Sequence, residues 1–276
     1  DIDSMDFPNF VIAVDAATGI EIPEAVTPSG ELASTRLAAE YLRSRGLDVH
    51  WCDATKLLRS EHERDKSERA EFLAARCDFS ADASLLESLS DTQGIVLTQG
   101  FIASNEAGDT VLLGRGGSDT SAAYFAGKLA ARRLEIWTDV PGFFSADPRA
   151  VPGARLIRHL HYTEAQEIAS AGGGILHPRS ISPVRHSGIP LFLKATAHPE
   201  WDGTVISNAA DEDSPQLKAV SHRKGITLIA MESFDMWHQV GFLAAAFDCF
   251  RQHGISVDLI STSESNVTVT IDRTAN

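Results

Sequence analysis

The chain has 276 residues, of which 43% are hydrophobic and 22% charged, and this ordinary globular composition excludes an intrinsically disordered protein. Its 24 basic and 38 acidic side chains give a formal net charge of −14, which argues against general nucleic-acid binding because such a surface repels phosphate backbones. The three cysteines lie far apart without a Cys-x-x-Cys pair, so the sequence predicts neither a disulfide framework nor a zinc ribbon.

Over the first 200 or so residues, predicted strands alternate with predicted helices, which indicates a largely parallel, layered α/β sheet. The predicted strands are 10–14, 47–51, 94–98, 111–113, 134–138 and 190–194. The predicted helices are 31–42, 120–133, 162–171 and a last one from Pro178 to Gly188. The apolar run 94–98 is typical of a strand buried on both faces. The charged run 61–71 is typical of a solvated segment, and residues 105–109 are predicted to form a turn.

An acidic linker at 211–216 separates this part from a shorter one with a different order of elements. There the pattern predicts a strand at 225–231, a helix at 241–253 and strands at 255–260 and 267–271. This βαββ order is a small α+β unit that lacks the last helix and strand of a ferredoxin-like fold. We therefore expect two domains, 1–210 and 217–276.

The strongest candidate site is the glycine-rich turn from Gly114 to Asp119, between a predicted strand and a predicted helix. Glycines let backbone N–H groups approach an anion, and a helix N-terminus adds partial positive charge. Arg115 carries a planar fork that suits a carboxylate. No Gly-Lys-Ser/Thr ending follows, so the turn is not a P-loop. The alternative is a tight turn that only needs its glycines, but Arg115, Ser118 and Asp119 together favour a binding site.

A second candidate site combines Thr138 and Asp139, which follow a predicted strand, with Arg149 in the next loop. This arrangement suits a nucleotide at the carboxyl edge of a sheet, although a capped turn with a surface arginine would look the same. Glu31, at a helix start, is explained by capping when taken alone. His177 precedes Pro178 and is expected to pack at a helix start. The ten histidines show no metal-ligand spacing, so no metal site is predicted.

Five segments, taken in order with the tail, resemble the aspartate kinases of the amino-acid kinase superfamily. They are 96–102, 113–119, 136–142, 147–149 and 176–178, and the tail 241–264 resembles the first ACT regulatory domain of those enzymes. The resemblance implies a three-layer, mostly parallel kinase domain in 1–210, N-terminally incomplete, followed by a partial ACT domain in 217–276. It also implies transfer of the γ-phosphate of ATP, with Mg²⁺, to the β-carboxylate of L-aspartate. The product would be 4-phospho-L-aspartate, a precursor of lysine, threonine and methionine, with amino-acid feedback through the ACT domain.

The resemblance also assigns roles to individual residues. Arg115 and Asp119 would be catalytic, with Asp119 organising the charges. The residues implied to hold aspartate are Glu31, Arg115, Gly116, Gly117 and Ser118. Those implied to contact ATP are Thr138, Asp139, Phe144, Arg149, Gly174 and Ile175. Those matching a lysine-effector site are Met236, Gln239, Phe242, Leu243, Val257, Asp258, Ser263 and Glu264.

Three departures from the family pattern bear on activity. The family's opening Lys-Phe-Gly-Gly motif is absent, since the first lysine is Lys56. Gly174 stands where a nucleotide-contacting lysine is usual, and Phe144 where the ring is commonly tyrosine. We therefore expect this chain alone to be a weak enzyme and a piece of a longer one, with fusion to homoserine dehydrogenase or diaminopimelate decarboxylase left open.

Two alternatives remain at this point. One is another amino-acid kinase, such as an acetylglutamate or uridylate kinase, and the other is an inactive amino-acid-binding fragment. The expected partners are L-aspartate, ATP, a lysine or threonine effector, and further copies of the chain through ACT pairing. No apolar run is long enough to span a bilayer and no leader opens the chain, so we expect a cytoplasmic protein without membrane or nucleic-acid partners.

Overall fold

The computed structural model describes residues 31–63, 67–90, 92–171, 174–209, 217–222, 225–232, 240–263 and 265–272. The chain forms two compact units, whose boundary lies between Ser221 and His222. The predicted strand 10–14 and the predicted linker 211–216 lie outside the described residues. Within the described ranges, every helix is too short or too polar to cross a membrane.

The first unit is an alternation of short strands and helices. Its first half contains α1 (Glu31–Ser44), β1 (Val49–Trp51), α2 (Ala54–Leu57), α3 (Glu68–Leu73), α4 (Ala83–Ser90), β2 (Ile95–Leu97), β3 (Ile102–Ser104) and β4 (Thr110–Leu112). Its second half contains α5 (Gly117–Lys128), β5 (Leu134–Thr138), β6 (His159–His161), α6 (Tyr162–Ser170), a 3₁₀ turn (Pro178–Ser180), α7 (Ile181–His186), β7 (Leu191–Ala195) and β8 (Thr204–Ser207).

The sheets of this unit are mixed. A four-stranded sheet has the order β5-β7-β8-β6, in which the outer two pairings are parallel and β7 runs antiparallel to β8. Strands β1 and β2 form a parallel pair, and β3 and β4 an antiparallel hairpin. The predicted alternation of strands and helices is observed, and β5 has the predicted bounds.

Several element predictions need correction. Strands β3, β6 and β8 were not predicted, because none of their segments holds a run of three large apolar residues or a clear alternation of apolar and polar residues. Helix α5 begins three residues earlier than predicted and ends at Lys128, since Ala130 adopts a left-handed φ of 44°. Strand β2 is half-buried rather than buried on both faces, because among the described residues it pairs with β1 alone. The charged run contains α3, whose first turn is capped by the Ser67 hydroxyl.

Helix α5 forms the centre of the first unit, and eleven of its twelve residues are buried. One core cluster packs its alanines, including Ala122 and Ala126, against β5, β7 and the buried Tyr162. A second cluster surrounds Tyr124 and Phe125. A helix enclosed on all sides is rigid, so its N-terminus is a firm platform for the glycine turn that precedes it.

The second unit contains β9 (Ile226–Glu232), α8 (Phe242–Gln252), β10 (Leu259–Thr262) and β11 (Asn266–Asp272). The three strands form an antiparallel sheet in the order β10-β11-β9. Val267 and Val269 of the central strand are fully buried. The predicted βαββ order is confirmed, although the strand predicted at 255–260 begins only at Leu259.

Candidate functional site

The glycine turn enters α5 through two left-handed residues. Gly114 has a φ of 75° and Gly116 a φ of 62°, a conformation that residues with a Cβ rarely adopt. Gly116 is the N-cap and has no side chain to cap the first-turn N–H groups. Those groups and the helix dipole therefore make the turn suitable for an anion.

Packing around the turn also requires glycine. A Cβ on Gly116 would overlap the His177 ring, and one on Gly117 would overlap the Phe101 ring. A Cβ on Gly100 would lie 3.3 Å from Ser118 Cα. Three segments that are distant in sequence thus meet at the start of α5.

Phe101 is a feature of this site that the sequence did not reveal. It has a φ of 69°, which is uncommon for a bulky residue and is often found at functional sites. Its N–H donates to Ser121 Oγ at 3.2 Å, and its carbonyl accepts from Leu113 N–H at 2.8 Å. The surrounding hydrogen bonds therefore hold the strained backbone and keep the ring against Gly117.

Asp119 is a buried carboxyl group, and among the described residues only one of its two oxygens accepts a hydrogen bond. It is 5% exposed, and Oδ2 accepts from His177 N–H at 3.2 Å. Oδ1 is buried without a partner among the described residues. Burial raises the pKa of Asp119 to about 7, against the smaller opposing effect of the His177 N–H. A buried oxygen of this kind can accept a hydrogen bond from a bound group or from a water molecule.

Arg115 projects from the turn and is exposed. Its charge reaches His177, whose pKa is lowered by burial and then by the guanidinium groups of Arg179 and Arg115. The structure therefore brings together Arg115, the glycine turn, Asp119 and His177. His177 lies at a helix start, as predicted, where its Nδ1 accepts from the backbone N–H of Arg179 at 3.2 Å.

The first predicted nucleotide residues lie at the carboxyl end of β5. Thr138 is buried, and its hydroxyl donates to Asp139 Oδ1 at 2.9 Å. Its carbonyl accepts from Thr196 N–H at 2.9 Å, which ties it to the residue after β7. Asp139 itself is exposed. The ends of two parallel strands thus meet here, as expected for a ligand site in an α/β sheet.

Phe144 and Arg149 lie in the loop that follows. Phe144 is half-buried and forms an isolated bridge with Leu156. Arg149 is exposed, and its backbone N–H donates to Asp147 Oδ1 at 2.9 Å in an Asx turn. Among the described residues, no hydrogen bond or ion pair joins either side chain to the Asp119 group.

Gly174 and Ile175, two further residues predicted to contact the nucleotide, lie just before His177. Gly174 is exposed with a φ of 63°, Ile175 packs against the core, and His177 ends the segment on Asp119. Gly174, which is predicted to contact the nucleotide, is thus three positions from the residue that donates to Asp119.

Glu31 begins α1, and its side chain is outside the description. Four residues on, Thr35 Oγ1 accepts from Trp51 Nε1 at 3.0 Å and from Gln99 Nε2 at 3.3 Å. Gln99 is fully buried, and its Oε1 accepts from the backbone N–H of Ala54 at 2.7 Å. The next residue, Gly100, lies so near the glycine turn that a Cβ on it would be 3.3 Å from Ser118, so this buried amide lies between α1 and the turn.

The predicted effector residues that can be placed lie in the second unit. Phe242 and Leu243 begin α8, while Asp258 and Ser263 flank the two ends of β10. Val257, next to Asp258, is half-buried. The remaining members lie outside the described residues, namely Met236, Gln239 and Glu264. In the described part of the chain, no cluster of three or more His, Cys, Asp or Glu side chains could hold a metal ion.

Two family models match the chain. The model of the amino acid kinase family matches residues 6–195. A model of the ACT domain matches residues 229–275. The first match covers the glycine turn, Asp119 and β5, and the second covers the βαββ unit apart from the start of β9.

The chain is similar to characterised aspartokinases. It is 41% identical over 263 residues to the lysine-sensitive aspartokinase 3 of Escherichia coli K12, covering 95% of this chain and 57% of that protein. It is 34% identical to the chloroplastic aspartokinase 3 of Arabidopsis thaliana, covering 88% of this chain and 43% of that protein. The chain therefore spans about half the length of these relatives.

Solved structures show the same similarity. The E. coli aspartokinase III complex with lysine and aspartate, in the T-state, superposes with a TM-score of 0.71 at 40% identity. The complex of that enzyme with aspartate and ADP, in the R-state, gives a TM-score of 0.73 at 40% identity. Each superposition covers 88% of this chain and 53% of the other.

Proposed function

This chain belongs to the amino acid kinase family, and we propose that it is the kinase and first regulatory part of an aspartate kinase. The reaction would transfer the γ-phosphoryl group of ATP to the β-carboxylate of L-aspartate, giving 4-phospho-L-aspartate and ADP. The observation that carries the proposal is the buried Asp119, with its unsatisfied oxygen, beside a glycine turn that exposes Arg115. The similarity to aspartokinases over nearly the whole chain supports the choice of substrate.

The proposed phosphoryl transfer depends on positioning the two substrates rather than on a general base. The β-carboxylate of aspartate has a pKa near 3.9 and is already ionised at neutral pH, so no general base is needed. The barrier lies in bringing this anion to a polyanionic triphosphate. Arg115 and the N–H groups at the start of α5 would bind the aspartate carboxylate and offset that repulsion.

The remaining roles follow the two predicted sites. Glu31, Gly116, Gly117 and Ser118 would complete the aspartate site. The nucleotide would be contacted by Thr138, Asp139, Phe144, Arg149, Gly174 and Ile175. Asp119 would organise the charges where the two substrates meet, since its buried oxygen is free to accept from, or bind, a cationic group.

Magnesium would arrive with ATP. The unpartnered, buried Oδ1 of Asp119 is a hard donor of the kind that Mg²⁺ prefers, so this residue fits the ion, and the exposed Asp139 offers another carboxylate. When bound, Mg²⁺ would neutralise phosphate charge. The chain itself would contribute binding, orientation and the burial of Asp119.

A substrate panel tests the proposal. The protein is incubated with MgATP and either L-aspartate, N-acetyl-L-glutamate or UMP, and ADP release is measured. Hydroxylamine traps an acyl phosphate as its hydroxamate. Aspartate hydroxamate is the expected product. Turnover of another acceptor would favour a different kinase of the family, and ATP binding without any transfer would favour an inactive amino-acid-binding protein.

We further propose that an amino acid, lysine or threonine, binds the second unit where two copies pair. Asp258 and Ser263 are five residues apart on an extended, fully paired segment, and are therefore about 17 Å apart, longer than one amino acid. Two copies could bring opposite ends of β10 to one ligand. Calorimetry with each amino acid, together with light scattering, tests this, and no heat from either would refute it.

A further inference from the structure

The structure points to one more residue that serves the aspartate site without touching substrate. We infer that Arg179 is a positioning residue that holds the glycine turn so that Arg115 faces the substrate. The inference rests on the function proposed above for Arg115. Arg179 lies in the 3₁₀ turn at Pro178–Ser180, and its side chain is half-buried.

The guanidinium of Arg179 bridges two backbone carbonyls from different segments. Nη1 donates to Leu113 O and Nη2 to Ala75 O, both at 2.8 Å. Ala75 is also paired with the end of β4, because its N–H donates to Leu112 O at 2.8 Å. Arg179 therefore fastens the exit of β4 to the neighbouring segment immediately before the turn begins.

Leu113 is held from both sides as a result. Its N–H donates to Phe101 O at 2.8 Å, and its carbonyl accepts from Arg179. The next residue, Gly114, is the left-handed glycine that redirects the chain toward Arg115. Because the hydrogen bonds of Leu113 fix the peptide before Gly114, they set the direction of the turn, although the backbone dihedrals of a glycine are otherwise little restricted.

The same short segment also fixes the far side of the turn. His177 packs its ring on Gly116, and its Nδ1 accepts from Arg179 N–H at 3.2 Å. The Gly116 carbonyl in turn accepts from the backbone N–H and the hydroxyl of Thr120, at 2.9 and 2.8 Å. Arg115 thus lies between Leu113 and Gly116, each of which contacts a residue of the segment 177–179.

Arginine is specifically suited to this position. Its planar fork presents two parallel N–H donors, whereas the ammonium of lysine is a single point on a flexible stem. Arg179→Lys keeps the charge and much of the side-chain volume but cannot hold both carbonyls in the same geometry. This substitution therefore tests the two-carbonyl bridge while the positive charge is kept.

The kinetic test compares Arg179→Lys with Arg185→Lys in the intact protein. Arg185 is an exposed arginine on the following helix, α7, and is a matched control. In Arg179→Lys we expect the KM for aspartate to rise by about 10- to 100-fold, the scale of a small misplacement, while the KM for ATP changes less than about twofold. Both constants should stay unchanged in Arg185→Lys. A parallel rise of both KM values in Arg179→Lys would overturn the inference.

Hydrogen exchange gives a second readout that needs no activity. In Arg179→Lys, the peptide covering 113–120 should exchange faster while the α6 peptide keeps its wild-type rate. Unchanged exchange in 113–120 would refute the bridge even if kinetics were altered. If the wild-type protein fails to phosphorylate aspartate, the proposed function fails, and the exchange experiment still decides whether Arg179 holds the turn.

Discussion

Asp119 is proposed to act in the aspartate site, but burying its carboxylate lowers the stability of the folded protein at neutral pH. Its pKa is raised to about 7 in the folded chain, against about 3.8 when unfolded. Between roughly pH 4 and pH 7 the folded state keeps a proton that the unfolded state has lost, so stability falls as pH rises through this window. The loss approaches about 4 kcal/mol above pH 7.

Asp119→Asn should therefore stabilise the protein at neutral pH while abolishing phosphoryl transfer. The amide keeps an acceptor for His177 N–H but carries no charge to bury. We expect a higher Tm than wild type at pH 7.5, with the difference shrinking toward pH 4.5, as measured by calorimetry across that range. A lower Tm at every pH would show that the carboxylate is satisfied in the folded protein.

Arg115 is expected to affect chemistry without affecting stability. It is exposed and follows a turn whose conformation is held by other groups. Arg115→Ala should lower kcat/KM for aspartate by about 10² to 10³, the usual effect of removing one charge-stabilising donor. Its Tm should stay close to that of wild type, because exposed substitutions have small effects. Wild-type kinetics would show that the turn is only structural.

Gly174 offers a gain-of-function test. The resemblance places a nucleotide-contacting lysine here, so Gly174→Lys should lower the KM for ATP. The φ of 63° at this position limits the gain, because a left-handed non-glycine residue costs about 1 to 2 kcal/mol. We expect tighter ATP binding together with a slightly lower Tm. Gly188→Lys is the control, since Gly188 has a φ of 66°, is also exposed and ends α7. It should show the stability loss alone.

At the level of whole elements, Lys218 fastens the end of the first unit to the start of α6. Its ammonium donates to Glu164 Oε2 at 2.8 Å, and the same oxygen accepts from His161 N–H at 2.8 Å as part of the capping box. Burial acts to raise the pKa of Glu164, but the hydrogen bonds from Lys218 and His161 outweigh it and the pKa is lowered. The stabilisation is therefore present above the ordinary carboxyl pKa and is lost as pH falls through the lowered value.

Lys218→Met should lower the free energy of unfolding at pH 7. The free energy of unfolding should then decrease less than in wild type when the pH is lowered to 3.5. The effect should be below about 1 kcal/mol, because Glu164 is partly exposed and the interaction is screened by water. Denaturant unfolding at pH 7 and pH 3.5 measures the change. Lys56→Met, at an exposed position on α2, is the control and should match wild type at both pH values.

The elements differ in how far the sequence could predict them. Strand β5 and helix α8 each carry a clear apolar pattern, and α8 also has a glycine at each end. Their predicted bounds were therefore close to the observed ones. The glycine turn before α5 was also predicted, because its chemistry is local. The bridge made by Arg179 and the left-handed Phe101 were not, since both depend on partners brought close only by the fold. Through-space contacts of this kind leave no period or spacing in a single sequence.

At the scale of the whole molecule, the proposed pairing of second units makes β10 the decisive element. Within the described residues β10 is an edge strand, and Leu259 and Ile260 are 70% and 55% exposed. Exposed apolar edge strands favour pairing with another chain, and an edge lysine opposes it. Asp258 and Ser263, both predicted to bind the effector, flank this same strand.

Leu259→Lys should therefore weaken self-association and remove inhibition by the effector, while leaving the uninhibited rate close to wild type. Leu228→Lys is the matched control, because Leu228 is 65% exposed on β9, the opposite edge of the described sheet. Sedimentation velocity and inhibition curves with lysine and threonine are compared for both variants. If Leu228→Lys dissociates the protein and Leu259→Lys does not, the copies pair through β9, and the proposed effector site shared by two copies at β10 is refuted.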